Sequence, residues 1–169
     1  MPMDATRLAK RIGMLVPSSN TVAEPATAAM LAGVGGVSLH VTRFRVTRLD
    51  TSAQALAQFQ AEPLLAAADL LADAAMDSVC LNATASCYTG IGHDRGFVAA
   101  LQARGIAGDT AMLALLDLLR AMGATRIGLV TPFLDDVQAA TIRILAEEGI
   151  TVLAERHLGD PGNFSFARF

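Results

Sequence analysis

Three short clusters hold side chains of types and spacings that could do chemistry. The first is Ser18-Ser19-Asn20-Thr21, small hydroxyl and amide groups placed directly after an apolar run and Pro17. Proline has no amide hydrogen to donate, so it ends strand pairing, and an alanine-rich segment of helical character follows. The first-turn amides of a helix lack intrahelical partners and carry the positive end of its dipole, so a carboxylate or phosphate fits there. The same residues also suit a plain helix cap, and from this stretch alone both readings stand. The second cluster is Asn82-Ala-Thr84-Ala-Ser86-Cys87-Tyr88, running on to Gly90, Gly92 and His93-Asp94. Cys87 falls where loop passes into helix, and helix-end amides can lower a thiol pKa; Cys80, inside an apolar run, reads as a small core hydrophobe. His93 and Asp94 resemble an acid–base pair but fall in a first helical turn, where Asp favours the dipole. The third cluster is Arg43, Arg45 and Arg48. It reads as a solvated basic loop or, alternatively, as a source of one guanidinium fork for a carboxylate.

These clusters need a frame. Residues 12–16 read as a buried strand, 22–31 as a helix and 37–44 as a second strand, with glycines between them. Ser52 can cap a long Ala/Leu helix that Pro63 either kinks or restarts. Residues 77–82 read as a third buried strand. Gly105 and Gly108 break the chain, and Asp109 can cap a helix through Met122. Met112, Met122 and the leucines between them fall at helical spacing, as core residues do. His40 and His157 lie in or beside strands and read as structural. Arg126-Ile-Gly-Leu-Val-Thr131-Pro132-Phe133 then repeats the opening motif 115 positions after Arg11. A helix over 136–148 and a strand over 150–157 follow it, as after the first copy. The shared order points to two similar α/β halves, divided here as 1–108 and 109–169. Strands alternating with helices give parallel sheets, with ligands beyond the strands' carboxyl ends. Ser18–Thr21, Asn82–Cys87 and Thr131–Phe133 are therefore expected at one sheet edge, around one possible site.

Composition narrows the function classes. With 53% hydrophobic and 17% charged residues the chain is far from the disordered balance. A net charge of −3 gives no reason to expect nucleic acid or an anionic membrane as partner. No apolar run approaches the ~18 residues of a membrane span. The first seven residues hold no apolar signal core, so the expected location is the cytoplasm. Two cysteines at this spacing make neither a disulfide framework nor a usual zinc pair.

Taken together, RIGMLVPSSNT, LNATASCYTGIGHD and RIGLVTPF resemble the aspartate/glutamate racemase superfamily, in its maleate cis-trans isomerase and arylmalonate decarboxylase branch. The resemblance implies two flavodoxin-like parallel-sheet halves related by pseudo-twofold symmetry, with a small carboxylic or dicarboxylic acid held between them. It implies no cofactor and no metal. One cysteine per half faces the substrate, and small donors stabilise an enediolate-like intermediate in the manner of an oxyanion hole. Carried over by position, Ser18, Ser19 and Asn20 bind a carboxylate. Asn82 takes the slot of the first catalytic cysteine, eight residues before Gly90, and Thr84 stands where a serine donor is common. Thr131 matches the second-half motif, and Phe133 replaces a tyrosine.

The departures set further expectations. Asn82 cannot be a thiolate and Phe133 has no hydroxyl. The counterpart of the strand that ends at Asn82 falls beyond Phe169, so the second half is incomplete and the second cysteine is absent. Arylmalonate decarboxylase also lacks a cysteine in the first slot and protonates with the second-half thiol alone. Cys87 is the remaining candidate thiol. The leading expectation is a cofactor-independent isomerase, racemase or decarboxylase, weak or inert in these 169 residues, whose uncovered sheet edge favours self-association. The alternative is a carboxylate-binding relative without turnover. A flavodoxin-like nucleotide binder ranks behind both, because the Gly-x-Gly-x-x-Gly fingerprint is missing.

Overall fold

A computed structural model of the chain describes residues 10–162 and 164–168. The N-terminal stretch searched above for a signal core lies outside them. The apolar run around Leu15 forms β1 (Lys10–Pro17), which pairs in parallel with β2 (Val37–Phe44) on one side and β3 (Ser78–Leu81) on the other. A strand with neighbours on both edges and helices on its faces has no wet side, and residues 13–17 are all buried. Gly13 is required there. A Cβ on it would meet Leu71 Cδ1 at 2.9 Å and Met76 Cγ at 3.0 Å.

Between these strands run α1 (Ala23–Leu31), α2 (Ala53–Ala57) and α3 (Ala61–Asp73). Ser52 caps α2 by accepting from Ala55 N at 3.2 Å. Pro63 sits in the first turn of α3, where its missing N–H costs nothing, so it marks a second start rather than a kink. After β3 come α4 (Ser86–Thr89), α5 (Ile91–Gln102) and β4 (Ala107–Thr110). The four-stranded parallel sheet has the order β2-β1-β3-β4, the flavodoxin-like winding.

β4 corrects the sequence reading, which had only a glycine break there. Ala-Gly-Asp-Thr has little strand propensity of its own; pairing with β3 imposes the extended form. Gly108 lets α5 pack down, since a Cβ would lie 2.5 Å from Leu101 Cδ1. The boundary expected after residue 108 falls inside this strand. Nor is Asp109 the cap. Thr110 Oγ1 accepts from Leu113 N at 3.1 Å and starts α6 (Ala111–Ala121).

The repeated motif forms β5 (Arg126–Thr131), followed by α7 (Asp135–Glu147) and β6 (Thr151–His157). β5 and β6 make a separate two-stranded parallel sheet, so the second half is incomplete beside the first. A short 3₁₀ turn, Ser165–Arg168, follows. β1 and β5 share a motif but differ in burial: no residue of β5 is fully buried, and Val130 is 78% exposed. One hydrophobic core nevertheless runs through both parts, from Leu15, Val79 and Leu81 through Tyr88, Met112 and Leu116 to Val137, Ile144 and Leu145. Among the described residues no helix is long and apolar enough to cross a membrane.

Candidate active site

The carboxyl ends of β1 and β3 open onto a cleft of about 100 Å³. That is small beside the ~300–1,000 Å³ of pockets that take drug-sized ligands. Pro17 and Asn20 come to it from the loop after β1, Asn82, Ala83, Thr84 and Ala85 from the loop after β3, and Tyr88 from α4. Val46, Leu49 and Phe59 close one wall, and Phe133 reaches in from the loop after β5. The three motif loops thus meet, although β5 belongs to a separate sheet from β1 and β3, which corrects the expectation of a single shared sheet edge. All eleven lining residues are uncharged, so the polar work falls to the side chains of Asn20, Asn82, Thr84 and Tyr88.

Asn20 acts as the cap that its sequence allowed. Its Oδ1 accepts from Val22 N at 2.9 Å and Ala23 N at 3.0 Å, capping the entry to α1, while the residue also lines the cleft. Arg43 braces this loop: its Nη1 donates to the carbonyls of Ser18 at 3.0 Å and Asn20 at 3.1 Å, and its Nη2 pairs with Glu24 at 2.8 Å. Arg43 is exposed, as the solvated reading had it, and its guanidinium is engaged by the loop carbonyls and Glu24. Arg48 pairs with Asp50, whose carboxyl is held at about 2 by hydrogen bonds from Ser52 and Arg48.

Ser18 and Ser19, expected to bind a carboxylate, do not line the cleft. Both hydroxyls donate to the Val46 carbonyl, at 3.1 and 2.6 Å, and Ser18 Oγ accepts from Val46 N at 3.0 Å. They hold the wall in place. Asn82 is half-buried, and its Nδ2 points to Met14 Sδ at 3.1 Å, a weak acceptor. Thr84 is exposed at the rim.

Cys87 requires a correction. It sits in α4 as expected but is only 4% exposed, and burial pushes its thiol up to about 11 rather than down. It faces a second, more apolar cavity of about 390 Å³, lined also by Met112, Leu129, Thr141 and Leu145. Thr131 lies there too, with its hydroxyl donating to Gln138 Oε1 at 2.6 Å, and not in the cleft. Thr84 and Phe133 line both cavities and form the partition between them. The Cys80 thiol is also pushed up to about 11 by burial. Among the described residues no three His, Cys, Asp or Glu side chains converge as a metal site.

Sequence reasoning passed over Tyr88, Val46, Leu49 and Phe59. Tyr88 lies inside the quoted second motif and is the chain's one tyrosine, which was the available signal. The other three come from a segment with no motif of its own.

A sequence profile of the family described as arylmalonate decarboxylase matches residues 12–160. The chain belongs to the arylmalonate decarboxylase family. Among its relatives, the maleate isomerase of Pseudomonas putida is 31% identical over 172 residues, covering 94% of this chain and 67% of that protein. The maleate isomerase of Nocardia farcinica is 31% identical, covering 85% of this chain and 59% of that protein. The chain therefore spans about three fifths to two thirds of the length of these relatives. Solved structures agree. A Cys-to-Ser variant of Nocardia farcinica maleate cis-trans isomerase, with a covalently bound succinylcysteine intermediate, superposes with a TM-score of 0.80 at 28% identity, over 95% of this chain and 68% of that one. A liganded double variant of arylmalonate decarboxylase, with a glycine changed to cysteine and a cysteine to serine, gives 0.79 at 26%, over 95% and 67%. Membership of the arylmalonate decarboxylase family thus agrees with the parallel α/β fold.

Proposed function

We propose that this chain carries the carboxylate-holding part of a cofactor-independent isomerase or decarboxylase for a small dicarboxylic acid of the maleate or arylmalonate kind. The observation that carries the reading is the convergence of Asn20, Asn82 and Thr84 on one small cleft at the sheet's carboxyl edge. Neutral donors aimed at a carboxylate stabilise the enediolate that forms when an α-proton or carbon dioxide leaves, because the negative charge moves onto the carboxyl oxygens. With no Lys or Arg lining the cleft, recognition rests on these dipoles. The relatives act on maleate or arylmalonate by name, which supports the substrate class.

Proton transfer needs a different group. Cys80 and Cys87 lie outside the cleft lining, and a thiol with a pKa of about 11 is ionised only to about one part in 10⁴ at pH 7. Asn82, in the slot of a catalytic cysteine, can donate a hydrogen bond but cannot exchange a proton with carbon. This favours a second reading, a relative that binds the acid without turning it over. The unpaired thiols suit a reducing compartment such as the cytoplasm, and the open side of β5 supports self-association.

Two measurements test the proposal. Maleate, malonate and phenylmalonate are titrated against the protein while its melting temperature is followed. At least one should raise it saturably, and no shift with any of the three sinks the carboxylate reading. Conversion of maleate to fumarate, or loss of carbon dioxide from phenylmalonate, followed by NMR, then separates an enzyme from a binding relative.

A further inference from the structure

We infer that Tyr88 is a ligand-binding residue of the cleft, its phenolic hydroxyl donating a hydrogen bond to the carboxylate of the bound acid. The inference rests on the reading of the cleft as a carboxylate site, and adds to it a group that neither the motifs nor the family resemblance singled out. Tyr88 is 6% exposed and lies on the cleft wall, on the same one-turn helix that follows the Asn82–Thr84 loop. Its ring meets Phe133 edge to face, with centroids 6.1 Å apart. Phe133 therefore fixes the ring's position but offers no donor, and the hydroxyl of Tyr88 is the polar group of that aromatic wall.

The hydroxyl is closed off from solvent and has no hydrogen-bond partner. A buried, unpaired hydroxyl costs about 1–3 kcal/mol, and buried tyrosines ordinarily find a partner for it. Tyr88 lines the cleft, so a group seated there is the partner we assign to this hydroxyl. Burial raises the phenol's pKa, helped by the nearby Cys87 and Asp50, so it keeps its proton and remains a donor suited to an anion. The free protein thus carries a penalty that an acid in the cleft removes.

The test is Tyr88→Phe, which deletes one oxygen and leaves the ring packing intact. A merely structural tyrosine would lose stability or show no change. A donor that is unpaired until ligand arrives predicts opposite signs: the melting temperature of the free variant stays equal or rises, while its affinity for maleate, malonate or phenylmalonate falls about ten- to a hundredfold, as for a hydrogen bond to a charged group. The chain has one tyrosine and no tryptophan, so its near-ultraviolet tyrosine band reports on Tyr88 alone. Adding the bound acid to the unaltered protein should shift that band. If the unaltered protein binds an acid but Tyr88→Phe binds it equally well and the band stays still, the inference is overturned and the carboxylate reading survives. If the unaltered protein binds none of the three acids, the carboxylate reading fails first.

Discussion

The Cys87 sulfur lies 3.5 Å from the hydroxyl of Thr141, joining α4 to α7. Thr141 donates its own proton to the Val137 carbonyl at 2.8 Å, leaving its oxygen free to accept from the thiol. Cys87 thereby packs at the seam between α4 and α7, where burial favours the protonated thiol. Cys87→Ala should leave ligand affinity unchanged and cost about 1–2 kcal/mol of stability through lost packing, measured by urea unfolding beside a binding titration. Alkylation of the folded protein near neutral pH should reach half-buried Cys80 before buried Cys87, as peptide mass mapping would show.

Two glycines at the same place in the repeated motif should answer differently to the same change. A Cβ on Gly13 would press on Leu71, Met76 and Val79, whereas one on Gly128 would find only the Ala154 carbonyl, at 3.9 Å. Gly13→Ala is expected to destabilise by about 1–3 kcal/mol through overpacking. Gly128→Ala is expected to be neutral or stabilising by up to about 1 kcal/mol, through a less flexible unfolded chain. Chemical denaturation of both variants reads the contrast directly.

Two buried carboxylates should give acid profiles of opposite sign. Asp94 accepts from the Thr110 hydroxyl, yet burial raises its pKa above the ordinary 3.8. Its stabilising contribution is complete below 3.8 and is lost as pH rises through the folded value. Asp50, held at about 2, contributes above 3.8 and loses that contribution as pH falls through 2. Melting temperatures from pH 2 to 7 should show Asp94→Asn equal to or above the unaltered protein at pH 7. Asp50→Asn should fall below it there and converge with it in strong acid.

His157 bridges Glu155 and Asp135, with both ring nitrogens at 2.8 Å, and ties the end of β6 to the start of α7. Hydrogen bonds donated to the Glu155 and Asp135 carboxylates raise its pKa above 6.5. The bridge is therefore fully formed below pH 6.5 and is lost as pH rises through the folded value. NMR titration of the imidazole should give a midpoint above 6.5, and Glu155→Gln should lower it.

Much of this fold was legible because its strands are dictated locally. β1 is an apolar run ending at Pro17, and β2 and β6 open on apolar or β-branched residues just after Gly36 and Gly149, so their bounds lie within two residues of those read from the sequence. β4 was not legible, since a strand of Ala, Gly, Asp and Thr exists only through its partner β3. The convergence of Asn20, Asn82 and Thr84 could be reasoned from topology. The direction each hydroxyl takes could not, because it depends on one backbone carbonyl, that of Val46, arriving beside Ser18 and Ser19 from 27 or 28 residues away. Arg43 hid for the same reason: three arginines spaced along a strand end look alike until one meets the carbonyls of a distant loop. The thiol of Cys87 was misjudged because a helix of four residues has little dipole to offer, while burial against α7 is invisible in sequence.

The unequal settings of β1 and β5 imply a rhythm that amide exchange can hear. With a neighbour on each edge, β1 can engage every backbone N–H of its middle, and all of them should trade protons with water slowly. In β5 only the residues turned toward β6 have a ladder partner, and successive residues of a parallel strand turn their N–H groups to alternate sides. Its amides should therefore alternate slow and fast along Arg126–Thr131, a period-two pattern absent from the twin motif at Lys10–Pro17.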